Sequence, residues 1–162
     1  MSDVRDTEDL LALERQVCFA LAVASRNVIA VYRPLLEPMG LTHPQYLVML
    51  ALWGHSPLSV KELSGLLRLD PGTLSPLLKR LEAGGLIQRG RARDDERVMA
   101  VTLTDEGQAL RAKAERIPPT IIERLGMDLT ELQDLHGTLT RLIAAADKAN
   151  GVVGAADRAH HD

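Results

Sequence analysis

The sequence predicts a mainly helical fold with one small β-hairpin. Apolar residues recur at spacings of three and four over most of the 162-residue chain, which indicates helices packed on one face. One stretch near residue 90 changes to a β-rich pattern around a charged turn. Aromatic residues are scarce, so the core must be aliphatic, as in packed helices; the full set is Phe19, Tyr32, Tyr46 and Trp53.

The first element is a long helix over residues 10–35. Its apolar positions form a near-heptad seam, which is typical of a helix that packs against another long helix. Pro34 and Pro38 are expected to break the helix, and Gly40 marks a turn.

Two shorter helices follow. Thr42 is a candidate cap for a helix from His43 to Trp53, and residues 54–57 form a turn. Residues 58–60 are a candidate short strand. Ser59 and Glu62 have the spacing of a capping box, which predicts a helix that ends near Leu67.

The next helix, within residues 69–82, has one apolar and one polar face. Asp70 is a good N-cap, Pro71 suits the first helical position, and Gly84-Gly85 ends the helix. Pro76 predicts a kink or a loose first turn. Four leucines form the apolar stripe: Leu74, Leu77, Leu78 and Leu81. The residues off the stripe are small, hydroxylated or cationic, the types that touch base edges and phosphates: Gly72, Thr73, Ser75, Lys79 and Arg80.

The helix that ends near Leu67 and the helix within residues 69–82 are separated by only a few residues, which is typical of a helix-turn-helix. Residues 86–91 and 98–104 then read as two strands around the charged tip 92–97, and a hairpin directly after such a helix is a wing. The protein has a net charge of −3, yet residues 79–93 carry five basic residues against one acidic residue. A local basic patch on an acidic protein favours DNA binding at one surface without non-specific binding by the rest of the protein.

The C-terminal part is also helical. Thr104 is expected to cap a helix that Pro118-Pro119 stops near Ile117, followed by a helical segment at 120–125 and a last helix at 129–148. The terminal helices are too apolar for one small core to cover. We therefore expect a two-fold dimer and a pseudo-palindromic double-stranded DNA site.

The predicted domain organisation has four parts. Residues 1–40 form an N-terminal dimerisation region and residues 41–104 a winged helix-turn-helix. Residues 105–150 form a C-terminal dimerisation region, and residues 151–162 a flexible tail.

At this point the sequence resembles the MarR family of bacterial regulators over about residues 10–147. Asp95-x-Arg97 in the wing, followed by Leu103-Thr104-x-x-Gly107, is typical of that family. Within it, the chain is most similar to the OhrR group of organic hydroperoxide sensors. The segments that carry this resemblance are Cys18–Leu21, Tyr32–Leu35, Leu41–Leu47 and Leu69–Glu82.

The resemblance implies a dimeric repressor whose reduced form binds DNA and whose oxidised form releases the operator. It makes Arg97 a minor-groove residue at the wing tip, held by Asp95, with Arg93 nearby. The alternative is that Arg93, Arg97 and their acidic neighbours form a solvated loop.

Cys18 is the sensor that the resemblance implies. A thiolate attacks the peroxide O–O bond and becomes a sulfenic acid. Because Cys18 is the single cysteine of the chain, the sulfenic acid has no internal thiol to react with and would need a low-molecular-weight thiol, a backbone nitrogen or more oxidant. The alternative is that Cys18 is simply a small buried hydrophobic residue.

In that group, tyrosines donate hydrogen bonds to the sensor thiol, and Tyr32 matches one of them. Tyr32 follows Cys18 by 14 residues, roughly 21 Å along a helix, so the two cannot touch within that helix. An antiparallel partner helix in the dimer could bring Tyr32 of the other chain to Cys18. Ala22 and His43 stand where the group has other tyrosines. Ala22 has no side-chain donor, whereas His43 can donate and, if protonated, could stabilise a thiolate.

Three other functions stay open. One is a MarR-type regulator that binds a phenolic or anionic ligand in the interdomain cleft, with Cys18 incidental. Metal sensing by histidines has no supporting ligand spacing, and no nucleophile–base or phosphate-loop motif indicates an enzyme. We expect no cofactor. The acidic N-terminus and the lack of an apolar run of membrane-spanning length predict a cytoplasmic protein without a membrane partner.

Overall fold

The computed structural model describes residues 3–91 and 97–151, and the predicted fold class is confirmed. The α-helices of these ranges are α1 Asp3–Leu36, α2 His43–Gly54, α3 Val60–Leu67, α4 Pro71–Ala83, α5 Asp105–Ala114, α6 Ile117–Leu125 and α7 Leu129–Ala149. A short 3-10 helix, Glu37–Met39, follows α1. The strands are β1 Leu58–Ser59, β2 Ile87–Arg91 and β3 Met99–Leu103.

The predicted starts of α2, α3 and α5 are confirmed by their caps. Thr42 and Gln45 exchange side-chain and backbone hydrogen bonds at the start of α2. Ser59 and Glu62 do the same at the start of α3. The Thr104 hydroxyl accepts a 3.0 Å bond from an amide in the first turn of α5. Each cap satisfies N–H groups that have no partner within the helix.

The sheet has three antiparallel strands in the order β1-β3-β2. Ile87 pairs with Leu103 and Arg91 with Met99, which forms the predicted hairpin. Leu58 pairs with Val101, so β1 adds a third strand at the base of the hairpin. The sheet thereby connects the wing to the start of α3.

The core beneath these elements is aliphatic, as the composition predicts. Leu74, Leu78 and Leu81 of α4 are buried, and Leu77 is half-buried. Their fully buried neighbours come from α2, α3 and the sheet: Val48, Met49, Leu52, Leu63, Ile87 and Val101. Burial of one such side chain contributes roughly 1.5–3 kcal/mol, so this core fixes the orientation of α4.

Three helix boundaries differ from the prediction. Helix α1 begins at Asp3, before the expected residue 10, and α6 begins at Ile117, before the expected residue 120. Pro34 lies inside α1, which ends at Leu36 close to the expected residue 35, and α4 runs through Pro76 within its predicted range. The helix after Thr104 ends at Ala114, before the expected Ile117. Pro118-Pro119 begin the next helix, α6, where a missing N–H costs little.

The chain divides into two compact units, residues 1–118 and 119–162. In the first unit, α1 exposes apolar side chains: Phe19 is 68% and Val17 46% exposed. In the second unit, α7 exposes Leu135 and Ile143. Neither face is covered within the described part of the single chain.

The expectation that no apolar run approaches membrane-spanning length is wrong. Residues 16–39 form a segment that is long and apolar enough to cross a membrane, judged by length and composition alone. The reason is that alanine, valine, leucine and isoleucine cover most sides of this part of α1. A helix that is covered on all sides by a partner chain has the same composition.

Candidate DNA-reading surface and sensor site

Helix α4 separates its two faces as the sequence predicts. Its leucines point to the core, and the residues predicted to touch DNA are all exposed along the same helix: Gly72, Thr73, Ser75, Lys79 and Arg80. The arrangement presents hydroxyl groups near the start of the helix and cations near its end. Such a face can donate to base edges and neutralise phosphates.

The start of α4 is held by Asp70. Its carboxylate accepts a 2.8 Å bond from the Thr73 amide and a 3.1 Å bond from the Thr73 hydroxyl. These bonds lower the pKa of Asp70 because they favour the ionised carboxylate. The Thr73 hydroxyl therefore has its proton engaged by the cap and offers its lone pairs outward.

The end of α4 is linked to the first strand of the wing. Glu82 accepts a 2.9 Å bond from the Arg89 backbone amide and a 3.2 Å bond from the Arg89 Nη2. The Arg89 contacts lower the pKa of Glu82. Arg89 therefore holds β2 against α4. Arg89 belongs to the basic patch that the sequence predicts over residues 79–93, but its charge is paired with that of Glu82.

The predicted wing-tip residues divide between described and undescribed parts of the chain. Arg93 and Asp95 lie outside the described residues. Arg97 is described, and its side chain is exposed just before β3. The role of Arg97 in the minor groove stays a prediction.

The predicted sensor residues separate into two places within one chain. Cys18 is exposed on α1. Tyr32 lies 14 residues further along the same uninterrupted helix, about 21 Å away. Cys18 and Tyr32 therefore do not meet within one protomer.

Tyr32 and His43 do meet. Their rings lie 5.1 Å apart in an edge-to-face arrangement between the end of α1 and the start of α2. Tyr46 completes an aromatic cluster, with ring centroids 5.9 Å from Tyr32 and 6.3 Å from His43. Edge-to-face and tilted pairs at these distances are favourable aromatic contacts.

Partial burial sets the protonation of the cluster. Burial raises the pKa of Tyr32 and of Tyr46, with a smaller contribution from Tyr32 to the latter. Burial lowers the pKa of His43, because a charged imidazole is poorly solvated there. At neutral pH the cluster therefore holds protonated phenols and a neutral imidazole, all able to donate a hydrogen bond.

A cavity of about 280 Å³ lies beside His43. Its walls are mainly apolar, and its polar residues are Arg33, Glu37, Thr42 and His43, so one cation and one anion both line it. The lining residues are Ile29, Arg33, Leu36, Glu37, Leu41, Thr42, His43 and Pro44. The cavity has room for a small organic molecule with an acidic or hydroxyl group.

Sequence reasoning missed Tyr46 as a site residue. Tyr46 follows His43 by three residues, so the two side chains share one face of α2. That spacing was the available signal. The Glu82–Arg89 pair had no such signal, because the two residues lie on different elements.

Comparison with known proteins gives a family. A family model described as transcriptional regulator SarA/Rot matches residues 30–114, which include the aromatic cluster and the helix-turn-helix. The chain is 45% identical over 134 residues to the organic hydroperoxide resistance transcriptional regulator of Bacillus subtilis, covering 81% of this chain and 91% of that protein.

Two further proteins are similar over most of the chain. The HTH-type transcriptional regulator TtmR of Methylorubrum extorquens is 45% identical over 83% of this chain and 69% of its own length. The solved structure of reduced AbfR bound to DNA, a Staphylococcus epidermidis protein, has a TM-score of 0.69 and 35% identity. It covers 85% of this chain and 98% of AbfR.

Proposed function

We propose that this protein is a DNA-binding repressor that releases its operator when an organic hydroperoxide oxidises Cys18. The premise is the family: the chain belongs to the MarR family of transcriptional regulators. The observation that carries the proposal is the placement of two sites on one frame. The exposed polar face of α4 is the surface proposed to read DNA, and α2, which carries His43 and Tyr46 of the aromatic cluster, contacts α4 within the same compact unit.

DNA reading is proposed for the exposed residues of α4 and for the wing. Gly72, Thr73 and Ser75 contact bases or nearby phosphates, and Lys79 and Arg80 contact phosphates. At the wing, Arg97 enters the minor groove, with Arg93 and Asp95 beside it. The DNA-bound structure of the similar protein AbfR supports the use of this fold on DNA.

The redox step is proposed for the Cys18 thiolate. The thiolate attacks one peroxide oxygen, an S–O bond forms, and the O–O bond breaks. The organic alkoxide leaves and takes up a proton to become an alcohol, so sulfur loses two electrons and the peroxide gains them. A low-molecular-weight thiol then displaces the hydroxyl group as water and leaves a mixed disulfide. Each Cys18 thiolate consumes one hydroperoxide molecule, so the reaction is a signal and not a catalytic turnover.

The second protomer completes the proposed sensor. Cys18 is exposed in one chain, and Tyr32 and His43 of the same chain cannot approach it along α1. An antiparallel α1 from the partner brings its Tyr32 and His43 to Cys18, where neutral donors stabilise the thiolate. The exposed apolar side chains of α1 support such a homodimer, which then matches a pseudo-palindromic operator.

The proposed setting is the cytoplasm. The relatives that the chain resembles are transcriptional regulators, and the proposed DNA partner lies there. In this proposal the apolar part of α1 serves the dimer interface and not a membrane.

The experiment that tests this function measures operator binding in two redox states. Fluorescence anisotropy follows binding to the DNA upstream of the protein's own gene, first reduced and then with an organic hydroperoxide and a small thiol. A Cys18→Ser variant is the matched control. Loss of binding in the native protein alone supports the proposal, and binding that ignores the oxidant in both proteins overturns the redox part.

The cavity beside His43 supports a second candidate. A phenolic or anionic ligand bound there, near Arg33, would make Cys18 incidental. A ligand that binds only the folded state raises the melting temperature, and the shift grows with the logarithm of the ratio of ligand concentration to Kd. A shift with salicylate as the probe that persists in Cys18→Ser and accompanies DNA release favours this function over the redox one.

A further inference from the structure

We propose that Trp53 is a positioning residue that couples the aromatic sensor cluster to the base of the wing. The coupling acts through a junction at the start of α5, defined here as residues Leu103–Gly107. The inference rests on the proposed redox function, since it names the path by which a change at Cys18 reaches the DNA-reading elements.

Helix α2 connects the two ends of this path. His43 and Tyr46 lie in its first turns, and Trp53 lies in its last turn, about 15 Å further along the axis. Between them, Val48, Met49 and Leu52 are buried in the core. A packed helix of this length moves as one body, so a displacement at the cluster reaches Trp53.

The C-terminal end of α2 is attached to the junction at two points. The Trp53 Nε1 donates a 2.9 Å hydrogen bond to the Gly107 carbonyl, 54 residues away. Just beyond α2, the Ser56 hydroxyl accepts a 3.2 Å bond from the Leu103 amide. These bonds join α2 to the last residue of β3 and to the first turn of α5.

The junction is in turn fastened to the turn between α4 and β2. The Thr104 amide donates to the Leu86 carbonyl at 3.1 Å, and the Thr104 hydroxyl donates to the Gly85 carbonyl at 2.6 Å. Gly107 lies so close that a Cβ on it would stand 2.0 Å from the Leu86 carbonyl oxygen. The junction therefore has little room to absorb a displacement locally.

Both DNA-reading elements leave from this point. Helix α4 ends at Ala83, two residues before Gly85; β2 begins at Ile87, directly after Leu86, and β3 ends at Leu103. A shift of α2 is transmitted through the Trp53–Gly107 and Ser56–Leu103 bonds to the base of the wing, unless these bonds break. This gives the Leu103-Thr104-x-x-Gly107 motif a physical role as the joint between sensor and reader.

The test replaces Trp53 by phenylalanine, which keeps a planar aromatic ring and removes the N–H donor. Operator affinity is measured by anisotropy before and after a matched dose of cumene hydroperoxide with a small thiol. Mass spectrometry follows Cys18 oxidation in parallel. We expect Cys18 to oxidise at the native rate, reduced affinity to stay within threefold of native, and the oxidant-induced loss of affinity to shrink at least tenfold.

Leu50→Ala is the control, because Leu50 lies on the same helix, is 43% exposed and makes no bond to the junction. It should respond to oxidant as the native protein does. A Trp53→Phe protein with a full native response overturns the coupling. A native protein that itself ignores the oxidant overturns the proposed redox function instead.

A second measurement needs no variant at position 53. Trp53 is the single tryptophan of the chain, so the native protein gives one indole N–H resonance. Oxidation should shift that resonance in the native protein and leave it unchanged in Cys18→Ser. An indole resonance that stays in place while the native protein loses DNA binding contradicts the coupling.

Discussion

The winged part of the chain and the long helix α1 differ in how much of their apolar surface is buried within one chain. From α2 to α5, each helix start is capped, and a core of leucines that includes Leu52, Leu63, Leu74, Leu78 and Leu81 is buried. Along residues 16–30 of α1, almost every described side chain is exposed, including large apolar ones such as Phe19. The first region is satisfied within one chain, whereas the second needs another surface.

Local sequence determines the fold of the first region, whereas the second region depends on association with another chain. Helix caps, turns and the aliphatic stripe of α4 specify the winged helix-turn-helix through residues that are close in sequence. Cys18, the proposed sensor, lies in the region that one chain leaves exposed. Oxidation at that surface can therefore depend on the partner chain. The winged helix-turn-helix can keep its own fold while a change at the dimer interface moves it.

The sharpest way to break the self-sufficient region is Gly107→Ala. The added Cβ would stand 2.0 Å from the Leu86 carbonyl oxygen, so backbone must move. We expect the free energy of unfolding to fall by about 4 kcal/mol. Urea denaturation at one fixed protein concentration measures it.

Gly65→Ala is the matched control for Gly107→Ala. Gly65 lies in α3, and a Cβ there meets nothing within 4 Å. Because alanine has the higher helix propensity, this variant should gain about 0.5–1 kcal/mol. Equal losses for the two variants would contradict the account of the junction.

The partner-dependent region should respond to charge instead. Leu21→Lys with Val28→Lys places two cations on an exposed apolar part of α1, where both side chains are more than a third exposed. We expect the dimer Kd to rise by about 100-fold, or about 2.7 kcal/mol, with helix content retained. Sedimentation equilibrium measures it, and Gln88→Lys on β2 is the control that should leave Kd unchanged.

Arg97→Ala tests the wing. Because the side chain is exposed, the free energy of unfolding should change by less than about 0.5 kcal/mol. Operator affinity should fall about tenfold if the guanidinium enters the minor groove. Anisotropy at moderate salt measures it, and an unchanged affinity would count against the wing.

Lys79→Ala tests one phosphate contact on α4. The slope of log affinity against log salt should flatten by about 0.9, the value for one phosphate neutralised on B-DNA. Titrations between low and moderate salt measure the slope. A parallel line at lower affinity would mean that Lys79 acts other than through a phosphate.

The smallest expected effect concerns pH. The bonds from Thr73 lower the pKa of Asp70 below its ordinary value of 3.8. Asp70 therefore stabilises the fold at pH values above 3.8, and this contribution is lost as pH falls through the lowered value. Asp70→Asn keeps a capping side chain without this titration, so its unfolding free energy should fall less steeply below pH 4. Parallel acid titrations followed by circular dichroism measure the difference.

Much of the fold was predictable because its signals are local. Thr42, Ser59, Asp70 and Thr104 each cap a helix through residues three positions ahead. The boundary between α5 and α6 was not, because two prolines stop one helix as well as they start another.

The candidate site was predictable only in part. Tyr32 and His43 were found by resemblance, and the structure brings them together. The Trp53–Gly107 bond and the Glu82–Arg89 pair join residues on different elements, and their existence depends on tertiary packing that periodicity does not encode.

The most direct test of the account asks whether the sensor is built from two chains. Mixed dimers of Cys18→Ser and Tyr32→Phe protomers contain one Cys18, and the only native Tyr32 belongs to the other chain. Sulfenic acid formation at that Cys18 is timed against Tyr32→Phe homodimers under the same hydroperoxide. The account predicts that the mixed dimer oxidises at the native rate per cysteine and that the Tyr32→Phe homodimer is slower. Equal, slow oxidation in both would contradict it.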